Sequence, residues 1–407
     1  MALQLKSNPT DQTDGRDSRQ NNCSSIMSEG QSAERPTAKK FISLGACSGT
    51  DEKAPGEQRA KFPQTLPTPL RTALIGFGKV GAGYVDDPVM ARHYPFATHA
   101  QALAAHSSFA WEAVVDVSET ALTIARERWN IPHVARTTRE LARDYDVEVA
   151  VLATPPHTRL ELLDQLPSLR AVLVEKPLGE TQGQSAAFLA ECARRDILVQ
   201  VNLWRRADEL FTRLANGLLH ELIGSVQAIF GIYGNGLRNN GTHLIDFIRM
   251  LCGEVGSAQI VPNAAVAPAG PLSHDFNVSF TLTLESGIVA MLQPVDFAHY
   301  RENSLDIWGT GGRVTLMQEG LGISVFPCHA HRATQNAFEI ASDTPVTLPS
   351  TVGYAFYRMF DNLASALFYG DSLCSPGDSA LRTTLLVENL IAQTKTTKKN
   401  VYQNRQE

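Results

Sequence analysis

The segment Gly76-Phe77-Gly78-Lys79-Val80-Gly81 constrains this chain more than any other. It follows a short apolar run, Thr72-Ala73-Leu74-Ile75, so G-x-G-x-x-G stands at the end of a strand. In such a turn the first glycine permits the sharp reversal, the second lets the backbone approach a pyrophosphate, and the third lets a following helix pack closely on the strand. The N-terminus of that helix, with its unpaired N–H groups, would face the phosphates. The ordered chain is expected to begin here. Residues 1 to about 68 are rich in Ser, Gln, Asn, Asp, Gly and Pro and carry no sustained period of 2 or 3.6, so they read as a disordered extension. That extension lacks the apolar centre of a signal peptide, and Asp11, Asp14 and Asp17 argue against an acid-poor transit peptide.

A second apolar strand, Trp111-Glu112-Ala113-Val114-Val115, ends in Asp116. A carboxylate at that strand end accepts ribose hydroxyls and repels a 2′-phosphate. The next residues are Val117, Ser118 and Glu119, with no arginine among them, so NAD is expected over NADP. The spacing is irregular: 35 positions separate Gly81 from Asp116, where about 20 are usual. The excess lies in residues 84–106, which hold His93, His99 and His106. It is either an insertion beside the reactive end of the cofactor site or a longer surface loop and helix.

The alternation then continues. Leu122–Trp129 is expected as a helix, Ile131–Val134 as a strand, Glu140–Asp144 as a helix and Val147–Ala153 as a buried strand. Such a rhythm implies a parallel α/β sheet whose ligands bind beyond the carboxyl ends of its strands. Thr154, Pro155 and His157 stand at one such end; His157 either lines the pocket or caps a helix. From Ser225 onward the pattern turns to a mostly antiparallel sheet. Phe276, Val278, Phe280, Leu282 and Leu284 alternate, Gly287 marks a turn, and Gly309-Thr310-Gly311-Gly312 reads as a hairpin turn between strands. Helices near Tyr354–Phe368 and Ser379–Gln393 are expected to cover its inner face. The expected organisation is therefore an extension over 1–68, a Rossmann domain over 69–201, an α+β domain over 202–395 and a tail over 396–407.

Composition excludes several classes. Net charge is −6 with both signs interspersed, so there is no basic stripe for nucleic acid. No apolar run approaches the roughly 20 residues of a membrane span. The six cysteines, at 23, 47, 192, 252, 328 and 374, form no C-x-x-C pair, which suits free thiols in a reducing, cytoplasmic compartment. Cys328, His329 and His331 lie together at the end of a strand-like run and are read as strand rather than as a metal site.

Lys176 follows the apolar run Ala171-Val172-Leu173-Val174, within Glu175-Lys176-Pro177. A buried strand fixes its stem, Pro177 restricts its backbone, and an ammonium beside a nicotinamide cation has its pKa lowered toward a useful range. A second site element is the Gly- and Asn-rich stretch 234–241, followed by a helix from about Thr242 to Cys252 with Gly253 as its C-cap. His243 and Asp246 lie three apart near the start of that helix and so share a side.

Taken in order, these segments resemble the Gfo/Idh/MocA family. The matching elements are Gly76–Gly81, Ala153-Thr154-Pro155-Pro156, Glu175-Lys176-Pro177, residues 201–206, Asn239-Asn240-Gly241-Thr242-His243-Leu244-Ile245-Asp246 and residues 306–312. The resemblance covers about residues 70 to 395. It implies a two-domain fold, a nicotinamide cofactor, a sugar-like or polyol substrate and homo-oligomers that pack through the C-terminal sheet. It also implies that His243 is the acid–base residue. One position departs: where the family has an aspartate four residues before this histidine, the chain has Asn239. An amide holds a hydroxyl but does not titrate.

The expected reaction is hydride transfer between NAD and a carbinol or carbonyl carbon of a sugar, sugar derivative or cyclitol. His243 would take the hydroxyl proton, Lys176 would position the oxygen, Asp246 would orient His243 and Asn239 would bind a neighbouring hydroxyl. Gly76, Phe77, Gly78, Lys79, Val80, Gly81, Asp116, Thr154, Pro155, His157 and Glu175 would hold the cofactor. Arg205 and Arg206 either meet an anionic group of the substrate or form an exposed basic pair. Two alternatives keep the fold: a non-catalytic NAD-binding regulator, and an enzyme that uses a tightly held NAD only transiently.

Overall fold

The computed structural model describes residues 68–272, 274–340 and 345–403, with side chains described through 394. The expected extension lies almost wholly outside the described residues. Six strands build the first sheet: β1 (Leu70–Ile75), β2 (Phe109–Val115), β3 (His133–Ala135), β4 (Val149–Leu152), β5 (Ala171–Val174) and β6 (Leu198–Val201). Their order is β3-β2-β1-β4-β5-β6, all parallel. The order reverses between β1 and β4, and the crevice outside the carboxyl ends at that point is where doubly wound sheets bind ligands.

Both faces of this sheet are covered, which explains the near-continuous apolar strands. Ile75, Val115, Leu152 and Val174 face one helical layer that includes Leu163 and Phe188. Leu74, Val114, Val151 and Leu173 face the other, with Leu103, Leu122, Met359, Phe360 and Leu363. The last three belong to the helix Ala355–Tyr369. That helix was expected on the later sheet; it returns instead to the first, where Met359 and Phe360 are fully buried.

The second sheet has nine strands among the described residues. They are β7 (Val226–Tyr233), β8 (Val255–Ile260), β11 (Phe280–Leu284), β12 (Val289–Pro294), β13 (Ser304–Gly309), β14 (Gly312–Met317), β15 (Gly322–Ala330), β16 (Phe338–Ile340) and β17 (Val346–Leu348); a separate ribbon pairs β9 (Ala267–Pro268) with β10 (Phe276–Asn277). All ladders of the large sheet are antiparallel except β7 with β12. The β13–β14 hairpin turns at Thr310-Gly311, as expected. Burial alternates strictly along β13, so one face packs and the other opens outward. On the inner face Ile229, Leu292, Ile307 and Val314 pack with Ile245 and Ile248 of the helix Thr242–Cys252. Thr242–Cys252 ends at Gly253, at φ +106°, as its sequence predicts. The final helix runs Gly377–Gln403, so most of the expected tail continues it. Cys328, His329 and Ala330 pair in register with β16, and no cluster of metal-ligand residues occurs among the described residues.

Candidate active site

The glycine-rich turn joins β1 to the crevice. Gly76 adopts φ +95°, and a Cβ there would lie 2.7 Å from the Ala153 carbonyl at the end of β4. A Cβ on Gly81 would sit 2.5 Å from Gly76 O, whereas one on Gly78 meets nothing within 4 Å. Two glycines therefore serve close packing and the middle one faces open space. Phe77 is buried against Trp111, while Gly78 and Lys79 are exposed and Val80 half-buried. Asp116 stands at the end of β2, accepting hydrogen bonds from Phe77 N at 2.7 Å and Ser118 N at 2.8 Å. The carboxylate is thus fixed beside the turn with acceptor capacity left over, a fit to the ribose of a dinucleotide. Beyond Gly81 the expected helix is broken. A 3₁₀ turn at Gly83–Asp86 gives way to Pro88–His93, because Asp87 caps a new start and Pro88 enters at its first position. The regular helix resumes at His99–Ala105.

Thr154, Pro155 and His157 follow β4 at the crevice. The Thr154 carbonyl accepts from the buried Arg159, and His157 Nδ1 lies 3.0 Å from Glu180 Oε1 at the exposed rim. Glu175, expected at the cofactor, turns inward. Its Oε1 lies 2.9 Å from His99 Nε2 and accepts from Asn202 Nδ2 at 2.6 Å. Burial pushes this carboxyl up, but the hydrogen bonds from His99 and Asn202 and the Lys176 charge hold it below the ordinary range. The segment 84–106 is therefore more than a surface loop: it delivers the fully buried His99 to the residue next to Lys176.

Lys176 leaves the end of β5 and reaches across to the second sheet's loop. Its Nζ donates to the Asn239 backbone carbonyl at 2.8 Å and to Asn239 Oδ1 at 3.0 Å. Burial pushes its pKa below the usual lysine value; Glu175, Asp275 and Glu319 oppose that and Arg205 adds to it. Asn239, expected to bind a substrate hydroxyl, has partners within the chain. Its Oδ1 faces Lys176 and its Nδ2 donates to Asn235 O at 3.2 Å. Four residues on, His243 sits in the first turn of Thr242–Cys252, half-buried. It shares a small cavity with Arg205, Asn240, Asn303 and Glu319. Burial, then the charges of Lys176, Arg205 and Arg301, push its pKa well below that of a free histidine. A neutral imidazole beside a fixed ammonium can accept a proton at neutral pH while the ammonium holds an oxygen.

Three expectations about charged partners are corrected. Asp246 does not orient His243: its oxygens accept from Arg206 at 2.8 and 2.9 Å, with Thr383 on Oδ1 at 3.0 Å. Three residues of helix carry it about 60° short of a full turn, and the guanidinium arriving from residues 204–207 captures it. Arg206 is consequently neither a substrate ligand nor an exposed base. Arg205 is buried too, paired with Glu319 at 3.0 Å and stacked 4.4 Å over Trp204. Sequence reasoning missed Glu319, which also binds Arg301 and Asn303, along with His99 and Asp275. No spacing could have found Glu319 or Asp275, since one reaches the site from the turn between β14 and β15 and the other from the β9–β10 ribbon.

Comparison with known proteins bears on the fold and the family. Residues 70–203 match the model described as an oxidoreductase family with an NAD-binding Rossmann fold, and residues 231–315 match the GFO/IDH/MocA C-terminal domain. Among curated proteins, the chain is 27% identical to trans-1,2-dihydrobenzene-1,2-diol dehydrogenase of Bos taurus, over 60% of this chain and 74% of that one. It is 33% identical to the Oryctolagus cuniculus protein of the same name, over 46% of this chain and 61% of that one. Among solved structures, an Agrobacterium radiobacter oxidoreductase in complex with NAD+, L-tartaric acid and magnesium superposes with a TM-score of 0.61 at 17% identity, covering 80% of this chain and 96% of that one. A candidate myo-inositol dehydrogenase from Sinorhizobium meliloti superposes at 0.57 and 18% identity, covering 79% and 96%. These superpositions speak to the fold.

Proposed function

Because the chain belongs to the Gfo/Idh/MocA family of NAD-binding oxidoreductases, we propose that it oxidises a secondary alcohol, or reduces the matching ketone, on a sugar, cyclitol or related ring bearing neighbouring hydroxyls. The observation that carries the reading is the bridge from Lys176 to Asn239, which pins the ammonium of β5 to the loop that presents His243. A bound nicotinamide dinucleotide supplies the hydride acceptor or donor. The chain's own residues do the rest. Gly76 and Gly81 shape the turn, Gly78 leaves room for phosphate, and Asp116 receives the ribose hydroxyls. In the oxidative direction His243, kept neutral by burial and by its cationic neighbours, removes the hydroxyl proton. Lys176 donates a hydrogen bond to the same oxygen and steadies the charge that develops on it. Arg205, held by Glu319, lines the cavity beside His243.

NAD over NADP is part of the proposal and rests on Asp116. The ring-diol class is supported by relatives named for a cyclic vicinal diol. A homo-oligomer accords with Phe230, Val289 and Met291, all more than 40% exposed on the open face of the second sheet. A cytoplasmic setting accords with the free cysteines 192, 252, 328 and 374. The test is spectrophotometric: NADH formation across a panel of cyclic diols, inositols, aldoses and acyclic primary alcohols. Turnover on a ring alcohol and none on acyclic primary alcohols is expected. Tight NAD binding with no turnover on any member would favour the regulator, and isomerised product without NADH would favour transient use of the cofactor.

A further inference from the structure

Position 239 carries an amide rather than a carboxylate, and both of its oxygens accept from the site lysine. Asp275, in the loop just before β10, is 4% exposed. It accepts from Asn239 N with Oδ2 at 2.9 Å, and from Arg238 N and Phe276 N with Oδ1 at 2.9 Å each. Gly236, at φ +96°, makes this possible, because a Cβ there would run into the Asp275 carboxylate. The same Asn239 accepts the Lys176 ammonium on both of its oxygens. A buried carboxylate thus anchors the backbone of the one residue whose two oxygens hold the site lysine.

We propose that Asp275 is the positioning residue of Lys176: acting through Asn239, it supplies from a separate loop the carboxylate charge that the chain lacks at position 239. Two features distinguish this from a simple cap on the turn 237–241. The carboxylate clamps the Asn239 backbone N–H and so fixes in place the residue whose two oxygens hold the ammonium. Asp275 also acts on Lys176 directly by charge, favouring the ammonium against its burial. The other groups that face Lys176 are Glu175 on its own strand end, Arg205 and Glu319 on the cavity wall, and His243 across the cleft. Glu175 is shared with His99 and Asn202, and Glu319 with Arg205 and Arg301. Asp275 is the carboxylate whose hydrogen bonds lead to Lys176.

The inference rests on the proposed reaction only where it calls Lys176 a proton-handling group, so its test avoids turnover. The full chain is acetylated with trace acetic anhydride across a pH series, and Lys176 is read by peptide mass spectrometry. The pH midpoint of its reactivity reports the ammonium. Asp275→Asn should lower that midpoint by about half a unit or more, because removing an anion favours the neutral amine. Asp275→Asn/Asn239→Asp should restore it, since the carboxylate then touches the lysine directly. A folded Asp275→Asn chain with an unmoved midpoint would overturn the proposal, as would a double variant that fails to restore a lowered one. Should Asp275→Asn not fold alone, the comparison moves to the Asn239→Asp background: adding Asp275→Asn there should lower the midpoint below that of Asn239→Asp, and equal midpoints overturn the proposal. A moved midpoint in a protein with no turnover on the diol panel would leave this inference standing and remove the reaction assignment; the reverse result separates them the other way.

Discussion

The guanidinium of Arg206 engages Asp246 through two parallel hydrogen bonds, at 2.8 and 2.9 Å, inside a helix-packed interior where Asp246 is 3% exposed. Arg249 approaches the same carboxylate at 3.5 Å. This places Asp246 in the scaffold beneath His243 rather than in the proton path. Asp246→Ala leaves the largely buried Arg206 without its partner, while Arg249 keeps Glu254; breaking a buried pair costs about 3–5 kcal/mol. A large fall in melting temperature is expected, with the pH dependence of whatever activity remains unchanged. A wild-type melting curve with an altered pH profile would restore Asp246 to the catalytic machinery.

Lys176 and His243 carry the opposite expectation. Lys176→Ala and His243→Ala should each lower kcat by ~100-fold or more, as the loss of an acid–base group does, while calorimetry still finds cofactor binding. If both variants turn over like wild type, the proton chemistry lies elsewhere.

The acid limb of kcat/KM follows from the cations around His243. Burial and the charges of Lys176, Arg205 and Arg301 all disfavour imidazolium, so the limb should lie below the ordinary histidine range in wild type. Arg301 is 63% exposed at its side chain and can be changed with little effect on packing. Arg301→Gln removes a cation and frees part of Glu319, and both changes favour imidazolium. The limb should therefore move to higher pH. An unmoved limb would mean that the base is uncoupled from this cluster.

The two glycines that differ in their surroundings should differ in their variants. Gly78→Ala puts a methyl group into open space, so stability should hold while NAD affinity falls. Gly81→Ala drives a methyl group to 2.5 Å from the Gly76 carbonyl, so stability should fall by about 1–3 kcal/mol. Paired melting curves and NAD titrations check both; equal behaviour of the two variants would contradict the geometry.

Cofactor choice should turn on Asp116. Wild type is expected to bind NAD more tightly than NADP by calorimetric titration. Arg136, at the end of β3, donates to the Val117 carbonyl at 3.0 Å and so stands next to the ribose site. Asp116→Ser should therefore narrow or reverse the preference, because the repelling charge is gone and a guanidinium is near. Equal affinities in wild type would show that Asp116 does not read the ribose.

Much of this was legible along the chain, and the reason is local. The Gly76–Gly81 turn, Asp116 at its strand end, the β13–β14 hairpin and the helix Thr242–Cys252 with Gly253 are each specified by neighbours within a few residues, where backbone conformation and periodicity act. Lys176 and His243 belong to the same class, since each follows from the element that carries it. What tertiary structure decided is partnership. Asp246 shares a helical side with His243 in sequence, but Arg206 arrives from another segment and claims it. Asn239 looks free for a substrate and is bound to Lys176, 63 residues away. His99 reaches Glu175 across 76 positions, and Asp275 reaches Asn239 from beyond the helix Thr242–Cys252. The helix Ala355–Tyr369 carries an apolar stripe that fits either sheet, and only the packing of Met359 and Phe360 assigns it to the first. A side chain's secondary structure is settled by its neighbours in the chain. Its hydrogen-bond partner is settled by whichever complementary group the fold brings within about 3 Å, and residue spacing does not encode that distance.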